Sequence, residues 1–392
     1  MIDDIAEKVV AGERLSFDEG MRLFRHSHLP ELAALAHLVR VRKHPEPIVT
    51  YVVGRNINYT NVCWVKCKFC AFYRLPGQEG EYVLPLETVF QKIEEMLALG
   101  GIEILMQGGL NPKLKIEYYE DLFRAIRARY PQVILHALSP TEILYIAKLS
   151  RLSLEETLAR LKAAGLHSIP GGGAEMLVDE VRETIAPLKD KSDEWLGVMR
   201  VAHRLGIRST VTMMYGTVET LEQRMEHLLK VRGLQDEGHG LTAFIPWSFS
   251  PNGTPLGDEL ARNGTWRRAT GYDYLRSVAV ARLMLDNVDN LQASWVTQGT
   301  KIAQIALRYG VNDFGSTMME ENVVSAAGTR FNVQIQEIER CIRDAGYEPR
   351  RRNTRYELLP VQPPPAVTPP FPVSEAVPQG FARSRLPILR AD

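Results

Sequence analysis

Residues 49–74, VTYVVGRNINYTNVCWVKCKFCAFYR, run from a β-branched stretch at 49–58 straight into a loop holding three of the chain's four cysteines, Cys63, Cys67 and Cys70. Eight residues span at most about 27 Å when fully extended, so one turn suffices to bring the three sulfurs to a single inorganic centre. Structural zinc takes four ligands, commonly as two close pairs, and the remaining cysteine, Cys341, lies far along the chain with no ligand-spaced histidine beside either group. A chain of 392 residues has core enough without a disulfide framework. Three thiolates suit a 4Fe–4S cluster whose remaining iron is left to a ligand that is not protein. The bland alternative, three reduced and partly buried structural thiols, asks three rare residues to fall together by chance.

Outward from this stretch a pattern repeats: a short apolar or β-branched run, a turn containing Gly, Asn or Ser, then an amphipathic helix. Strand candidates fall at 49–58, 102–107, 132–138, 166–169, 207–214, 241–248, 291–297 and 310–316, with helical stretches at 86–99, 117–129, 153–165, 192–205, 219–235 and 271–286 between them. Strands alternating with helices predict a parallel α/β sheet, and the count of strands predicts closure into a (β/α)8 TIM-type barrel; a doubly wound open sheet is the alternative if the last two strands are not strands. Before the barrel, residues 1–47 read as short helices, with Ser16 and Glu19 as a capping box and Pro30 opening a later segment. His26 and His28 lie here; two residues apart on a helix they would point away from each other, so packed or solvated histidines are expected and not a metal site. The barrel is expected over 48–346 and an extension over 347–392, where nine prolines fall between Pro360 and Pro387. Arg350, Arg351 and Arg352 read as a solvated face before that tail.

The totals limit the classes of function. Lys+Arg and Asp+Glu are equal at 47 each, so no overall field draws in nucleic acid or an anionic membrane. The opening MIDDIAEKVVAGERL lacks a basic segment followed by an apolar one, and no apolar run reaches the length of a membrane span, so a cytoplasmic protein is expected.

In a barrel, ligands sit at the C-terminal ends of the strands, so the residues after each strand candidate matter most. The first strand ends in the cysteine loop. The second ends in Gln107-Gly108-Gly109, where two glycines either let backbone approach a ligand or merely make a tight turn. The third carries His136 and then Ser139, which is placed to cap the helix containing Glu142. His136 is a candidate polar contact to substrate. The fourth ends in Pro170-Gly171-Gly172-Gly173-Ala174-Glu175, and three consecutive glycines are costly unless the backbone needs unusual dihedrals or must pass close to something. Thr210, Thr212 and Tyr215 near the fifth strand, Trp247, Phe249 and Asn252 near the sixth, and Trp295 and Gln298 near the seventh are, taken singly, more often packing than ligand contacts.

The spacing Cys-x-x-x-Cys-x-x-Cys, with Phe69 before the last cysteine, resembles the signature of the radical S-adenosylmethionine enzymes. Such a resemblance implies a 4Fe–4S cluster on Cys63, Cys67 and Cys70, with S-adenosyl-L-methionine chelating the open iron and yielding a 5′-deoxyadenosyl radical. It places Phe69, Gln107, Gly108, Ser139, Gly172 and Glu175 around the cofactor, Glu175 as acceptor for its ribose hydroxyls. The words INYTNVC, CKFCAFYR, QGGLNP, LHALSP, SIPGGGAE, MMYG and TAFIPWSF together look like the cyclic dehypoxanthine futalosine synthase family of menaquinone biosynthesis over about residues 50–345. Asn111 and Trp247 favour that family over its relatives, the aminofutalosine synthases and deazaflavin-precursor synthases. What this implies is a small-molecule substrate, dehypoxanthine futalosine, cyclised by a ribose radical onto its benzoate ring. An electron donor such as flavodoxin or ferredoxin would serve it, and a proton acceptor would come from among His136, Glu175 and Tyr215. A non-catalytic iron–sulfur or zinc scaffold on the same cysteines is the alternative of another class.

Overall fold

The β-branched run at the head of the barrel forms one interrupted strand, β1 (Ile48–Val52) and β2 (Gly54–Ile57). It is followed by β3 (Glu103–Met106), β4 (Ile134–Ala137), β5 (Ser168–Ile169), β6 (Arg208–Tyr215), β7 (Leu241–Ser248), β8 (Asn290–Leu291), β9 (Asp313–Ser316) and β10 (Glu348–Arg351). The computed structural model describes residues 2–328 and 333–360. Strands β2 to β8 make a seven-stranded sheet in chain order, every pair parallel. Parallel neighbours need a crossover, and helices such as Leu86–Ala98 supply it, burying Val89, Ile93 and Met96 at i, i+4 and i+7 on one face.

Strand β9 occupies the eighth position and joins the two edges. On one side Asn312 N donates to Leu291 O (3.2 Å) and Ala293 N to Asp313 O (2.8 Å); on the other Thr317 N donates to Val52 O (3.0 Å) and Asn56 N to Met319 O (2.9 Å). The curled sheet thus returns on itself as the (β/α)8 arrangement expected. The seventh strand candidate shortens to two residues, because the helix Trp295–Ala306 begins four residues after Leu291.

The N-terminal helices Asp3–Ala11, Phe17–Arg25 and Leu29–Lys43 form as expected, with the Ser16–Glu19 capping box in place. The second and third pack on the outer helices Leu221–Gly238 and Gly271–Met284, and the first packs on the third. Gly20 makes this contact close: an added Cβ would lie 2.4 Å from Met225 Cε and 2.8 Å from Met284 Sδ.

The arginines at the end of the barrel depart from expectation. The arginine run is not a solvated face: β10 adds in parallel to β1, and Arg352, 4% exposed, turns inward. Its Nε and Nη2 donate to the two Asp313 oxygens (2.6 and 2.9 Å), Thr50 Oγ1 donates to the same carboxylate (2.6 Å), and the guanidinium lies 3.9 Å from the Tyr356 ring centroid. Thr354 Oγ1 donates to Glu103 Oε2 (2.5 Å). Asp313, fully buried at the start of β9, needs a paired cation, and three successive arginines give no sign of which one strand pairing will turn inward. The proline-rich residues beyond Pro360 lie outside the described residues.

Candidate active site

The cysteine loop leaves β2 and is stitched shut at its base, with Cys63 N donating to Arg74 O (2.9 Å) and Arg74 N to Asn61 O (2.8 Å). Lys66 turns the chain through a left-handed conformation (φ 55°), and Cys70 N donates to Cys67 O (3.1 Å), which folds the second and third cysteines back toward the first. Lys68 docks the loop, its N donating to Ile185 O and its O accepting from Leu256 N (both 2.9 Å). Burial pushes all three thiols up, and Cys63 and Cys70 each add to the rise at Cys67, so the three share one pocket. Their sulfurs do not all lie within 4.8 Å of one another. Cys341 is elsewhere, buried on the helix Ile335–Asp344 with Sγ toward Glu337 (3.7 Å).

The glycines after β3 are there for this loop. An added Cβ at Gly109 would lie 2.3 Å from Val62 O and 2.8 Å from Cys63 Cβ; at Gly108 it would lie 2.7 Å from the Tyr59 ring. Behind them stands a residue whose role the sequence did not disclose. Glu142 is buried and receives Tyr59 OH (2.7 Å) and Gly108 N (2.9 Å) on Oε1, and Ser139 N and Oγ (both 2.7 Å) on Oε2. One carboxyl ties together the ends of the first three strands. Burial raises it, and the four donors oppose that rise. Ser139 is the N-cap of the helix Pro140–Ser150, and its capping partner Glu142 reaches on to the neighbouring strand ends.

The glycine run after β5 is equally constrained. An added Cβ at Gly171 would meet Val211 Cα at 2.3 Å, and one at Gly172 would meet Gln107 Nε2 at 2.4 Å, so Gln107 and Gly172 face each other closely. Gly173 takes φ +86°, and Glu175 itself sits at φ 37°, a conformation a non-glycine residue holds only when its surroundings insist. What insists is visible: Glu175 O accepts from Met214 N (2.7 Å), and Glu175 Oε1 accepts from Lys189 Nζ (2.8 Å), both side chains being buried. Glu175 Oε2 is buried with no hydrogen-bond partner. Burial works against the Lys189 charge, yet the Glu175 carboxylate and Cys67 outweigh it and hold the ammonium up. Lys189 Nζ lies 5.6 Å from the Phe69 ring centroid, so it links the cysteine loop to the glycine turn. No motif marks Lys189; only packing brings it here.

His136 lies deeper, on β4 in register with Leu105 and Ser168, its Nδ1 2.7 Å from Ser168 Oγ. Burial lowers it to about 4, with Glu103 acting to raise it and Arg352 to lower it, so the ring is neutral near pH 7. Tyr215 does not join the cysteine group. Along β6 it alternates with Met214, Thr212 and Thr210, and its ring packs 4.6 Å from the Arg224 guanidinium, which pairs with Glu219 (2.8 Å) on the helix side. Thr210 and Thr212 clamp Gly171, the first accepting from its N (2.9 Å) and the second donating to its O (2.8 Å). Trp247 is in register with Met214 and half-buried, whereas Trp295 is locked into the wall by Nε1 donating to Ser316 O (2.9 Å).

Residues 57–231 match the radical SAM superfamily, and residues 238–364 match the CofH/MqnC C-terminal region. The chain is similar to the cyclic dehypoxanthine futalosine synthase of Halalkalibacterium halodurans, 46% identical over 358 residues that cover 91% of this chain and 95% of that protein. It is likewise similar to the cyclic dehypoxanthine futalosine synthase of Streptomyces coelicolor, 42% identical with 94% and 91% of the two chains covered. In fold it resembles the FeFe-hydrogenase maturase HydG from Carboxydothermus hydrogenoformans, with a TM-score of 0.70 at 17% identity over 91% of this chain and 80% of that one.

Proposed function

The chain belongs to the radical S-adenosylmethionine superfamily, with a C-terminal region of the CofH/MqnC kind, and from that premise we propose that it converts dehypoxanthine futalosine to cyclic dehypoxanthine futalosine in menaquinone biosynthesis. The observation that carries the chemistry is the meeting of Cys63, Cys67 and Cys70 with the Glu175–Lys189 pair in one buried pocket.

The residues fit a cluster and its cofactor. Three converging thiols offer the iron ligands, the unpartnered Glu175 Oε2 is an acceptor waiting for a donor such as a ribose hydroxyl, and the bare face of Gly172 lets Gln107 come close where a side chain would push it away. Phe69, Gln107, Gly108 and Ser139 complete the positions assigned to S-adenosyl-L-methionine, and the buried Lys189 ammonium would offer positive charge to its carboxylate. When bound, the pair supplies hydrogen-atom abstraction from the ribose, which starts cyclisation onto the benzoate ring. Glu142 fixes the cysteine, Gln107 and Ser139 loops relative to one another. A closed barrel excludes water and limits what a carbon radical can reach. With Nδ1–H given to Ser168 Oγ, the neutral His136 keeps Nε2 as an acceptor for the proton the ring loses. Tyr215 faces the helix layer, which leaves His136 and the free Oε2 of Glu175 as the candidate proton acceptors.

A flavodoxin- or ferredoxin-like protein would supply the electron. Among the described residues no helix is long and apolar enough to cross a membrane. We read 48–346 as the catalytic barrel, 1–47 as an N-terminal helical segment and 347–392 as a Pro-rich C-terminal extension.

Anaerobically reconstituted protein given dehypoxanthine futalosine, S-adenosylmethionine and a reductant should yield the cyclic product and 5′-deoxyadenosine by mass spectrometry. Alanine at Cys63, Cys67 or Cys70 should abolish both, and Cys341→Ala should spare them. Turnover of the enol-ether precursor instead would make the chain an aminofutalosine synthase. Absence of 5′-deoxyadenosine with every substrate would leave only a scaffold.

A further inference from the structure

We propose that His26, His28 and Glu31 form a second metal site, on the outside of the molecule, that takes a divalent transition cation of the zinc class. The helix Phe17–Arg25 stops at His26, whose backbone is extended (φ −66°, ψ 127°), and the helix Leu29–Lys43 begins after His28. The two histidines therefore flank a turn and do not share a helix. Across that turn their rings converge on Glu31, in the first turn of the second helix, and the three donor atoms all lie within 4.8 Å of one another.

The separations suit one small ion. His26 Nε2 lies 2.5 Å and His28 Nδ1 3.7 Å from Glu31 Oε2. Ligands on a tetrahedral zinc, with bonds of about 2.0–2.1 Å, sit about 3.3 Å apart, so side-chain rotation alone closes the difference. Two imidazoles with one carboxylate select zinc and its neighbours over magnesium or calcium, which prefer all-oxygen sets. The His26 side chain is 15% exposed, whereas those of His28 and Glu31 are 62% and 54% exposed, so one ligand is packed and the fourth coordination position faces water.

The turn is also held in place by the rest of the protein. Tyr272 OH, from the helix Gly271–Met284, donates to Ser27 O (2.7 Å), and Arg25 pairs with Glu222 on the helix Leu221–Gly238. An ion here would clip two N-terminal helices together over the outer helix layer. It would act on stability and leave the barrel chemistry alone.

The test uses cluster-loaded protein prepared anaerobically, stripped of loose metal with a chelator and dialysed against Zn2+. One zinc per chain beyond the cluster iron is expected. The zinc X-ray absorption spectrum should show nitrogen and oxygen at about 2.0 Å and no sulfur at about 2.3 Å. His28→Ala and Glu31→Gln should each weaken binding more than about tenfold, since even disturbing a ligand's hydrogen-bond partner costs that much. Both residues are largely exposed, so unchanged cluster content and circular dichroism will report an intact fold. Zinc should raise the melting temperature of the wild type but not of His28→Ala. No bound zinc, a sulfur shell, or full retention of zinc by His28→Ala would each overturn the proposal.

Discussion

Glu175 and Lys189 are a buried ion pair whose acidic partner keeps one oxygen unsatisfied. Removing one charge from such a pair strands the other, at about 3–5 kcal/mol, whereas removing both is far milder. Lys189→Met should therefore destabilise the cluster-free protein by about 3 kcal/mol. Glu175→Gln/Lys189→Met should recover most of that loss in denaturant titrations while both variants bind S-adenosylmethionine poorly. Histidines set a second expectation. His136 is lowered to about 4 and His227 to about 3, burial being the main cause in each, and His227 Nδ1 accepts from Leu177 N (3.0 Å), so its ring must stay neutral. Unfolded histidine binds its proton near pH 6.5, so between there and pH 4 the unfolded state holds more protons and stability falls as pH falls. Denaturation midpoints at pH 5 and pH 7 measure this, and His136→Asn should make the slope shallower.

At the scale of elements, the glycine turn after β5 contains two kinds of close contact that sequence cannot separate. At Gly171 an added methyl meets backbone, Val211 Cα at 2.3 Å, and backbone in a sheet cannot move aside. At Gly172 the obstacle is the Gln107 amide, which can swing away. Gly171→Ala should thus cost stability in the range of about 1–3 kcal/mol typical of overpacking, seen as an earlier denaturation midpoint. Gly172→Ala should fold nearly normally yet bind S-adenosylmethionine less well by calorimetry, because Gln107 is displaced. Equal effects of the two changes on stability would mean that Gln107 is as fixed as the strand.

For the whole molecule, the chain that follows the barrel returns to close its N-terminal end. Arg352 on Asp313, Thr354 on Glu103 and the Tyr356 ring against the guanidinium hold the returning chain to the starts of β9 and β3. Arg352→Met leaves Asp313 buried and unpaired and should cost about 3–5 kcal/mol in thermal or chemical denaturation. Adding Asp313→Asn should restore much of it. An Arg352→Met protein as stable as the wild type would mean that water reaches Asp313 and the floor is open.

The sequence alone determined the order of strands and helices, because β-branched runs, capping residues and turn glycines act within a few neighbours. It also determined the iron–sulfur reading, since three cysteines within eight residues need only a loop to meet. Tertiary structure alone decided which charges enter the site and the barrel floor. Lys189 reaches Cys67 and Glu175 only because the glycine turn and the following helix fold back against the cysteine loop. Glu142 reads as an ordinary capping residue until three strand ends close around it. Arg352 reads as solvent-facing until β10 pairs with β1 and turns it toward Asp313. His26 and His28 read as diverging on one helix until a helix break at His26 makes them converge. In each case the deciding partner lies outside the local stretch of chain or the backbone departs from the assumed helix, and only the packed fold brings the groups to the distances at which charge and hydrogen bonding act.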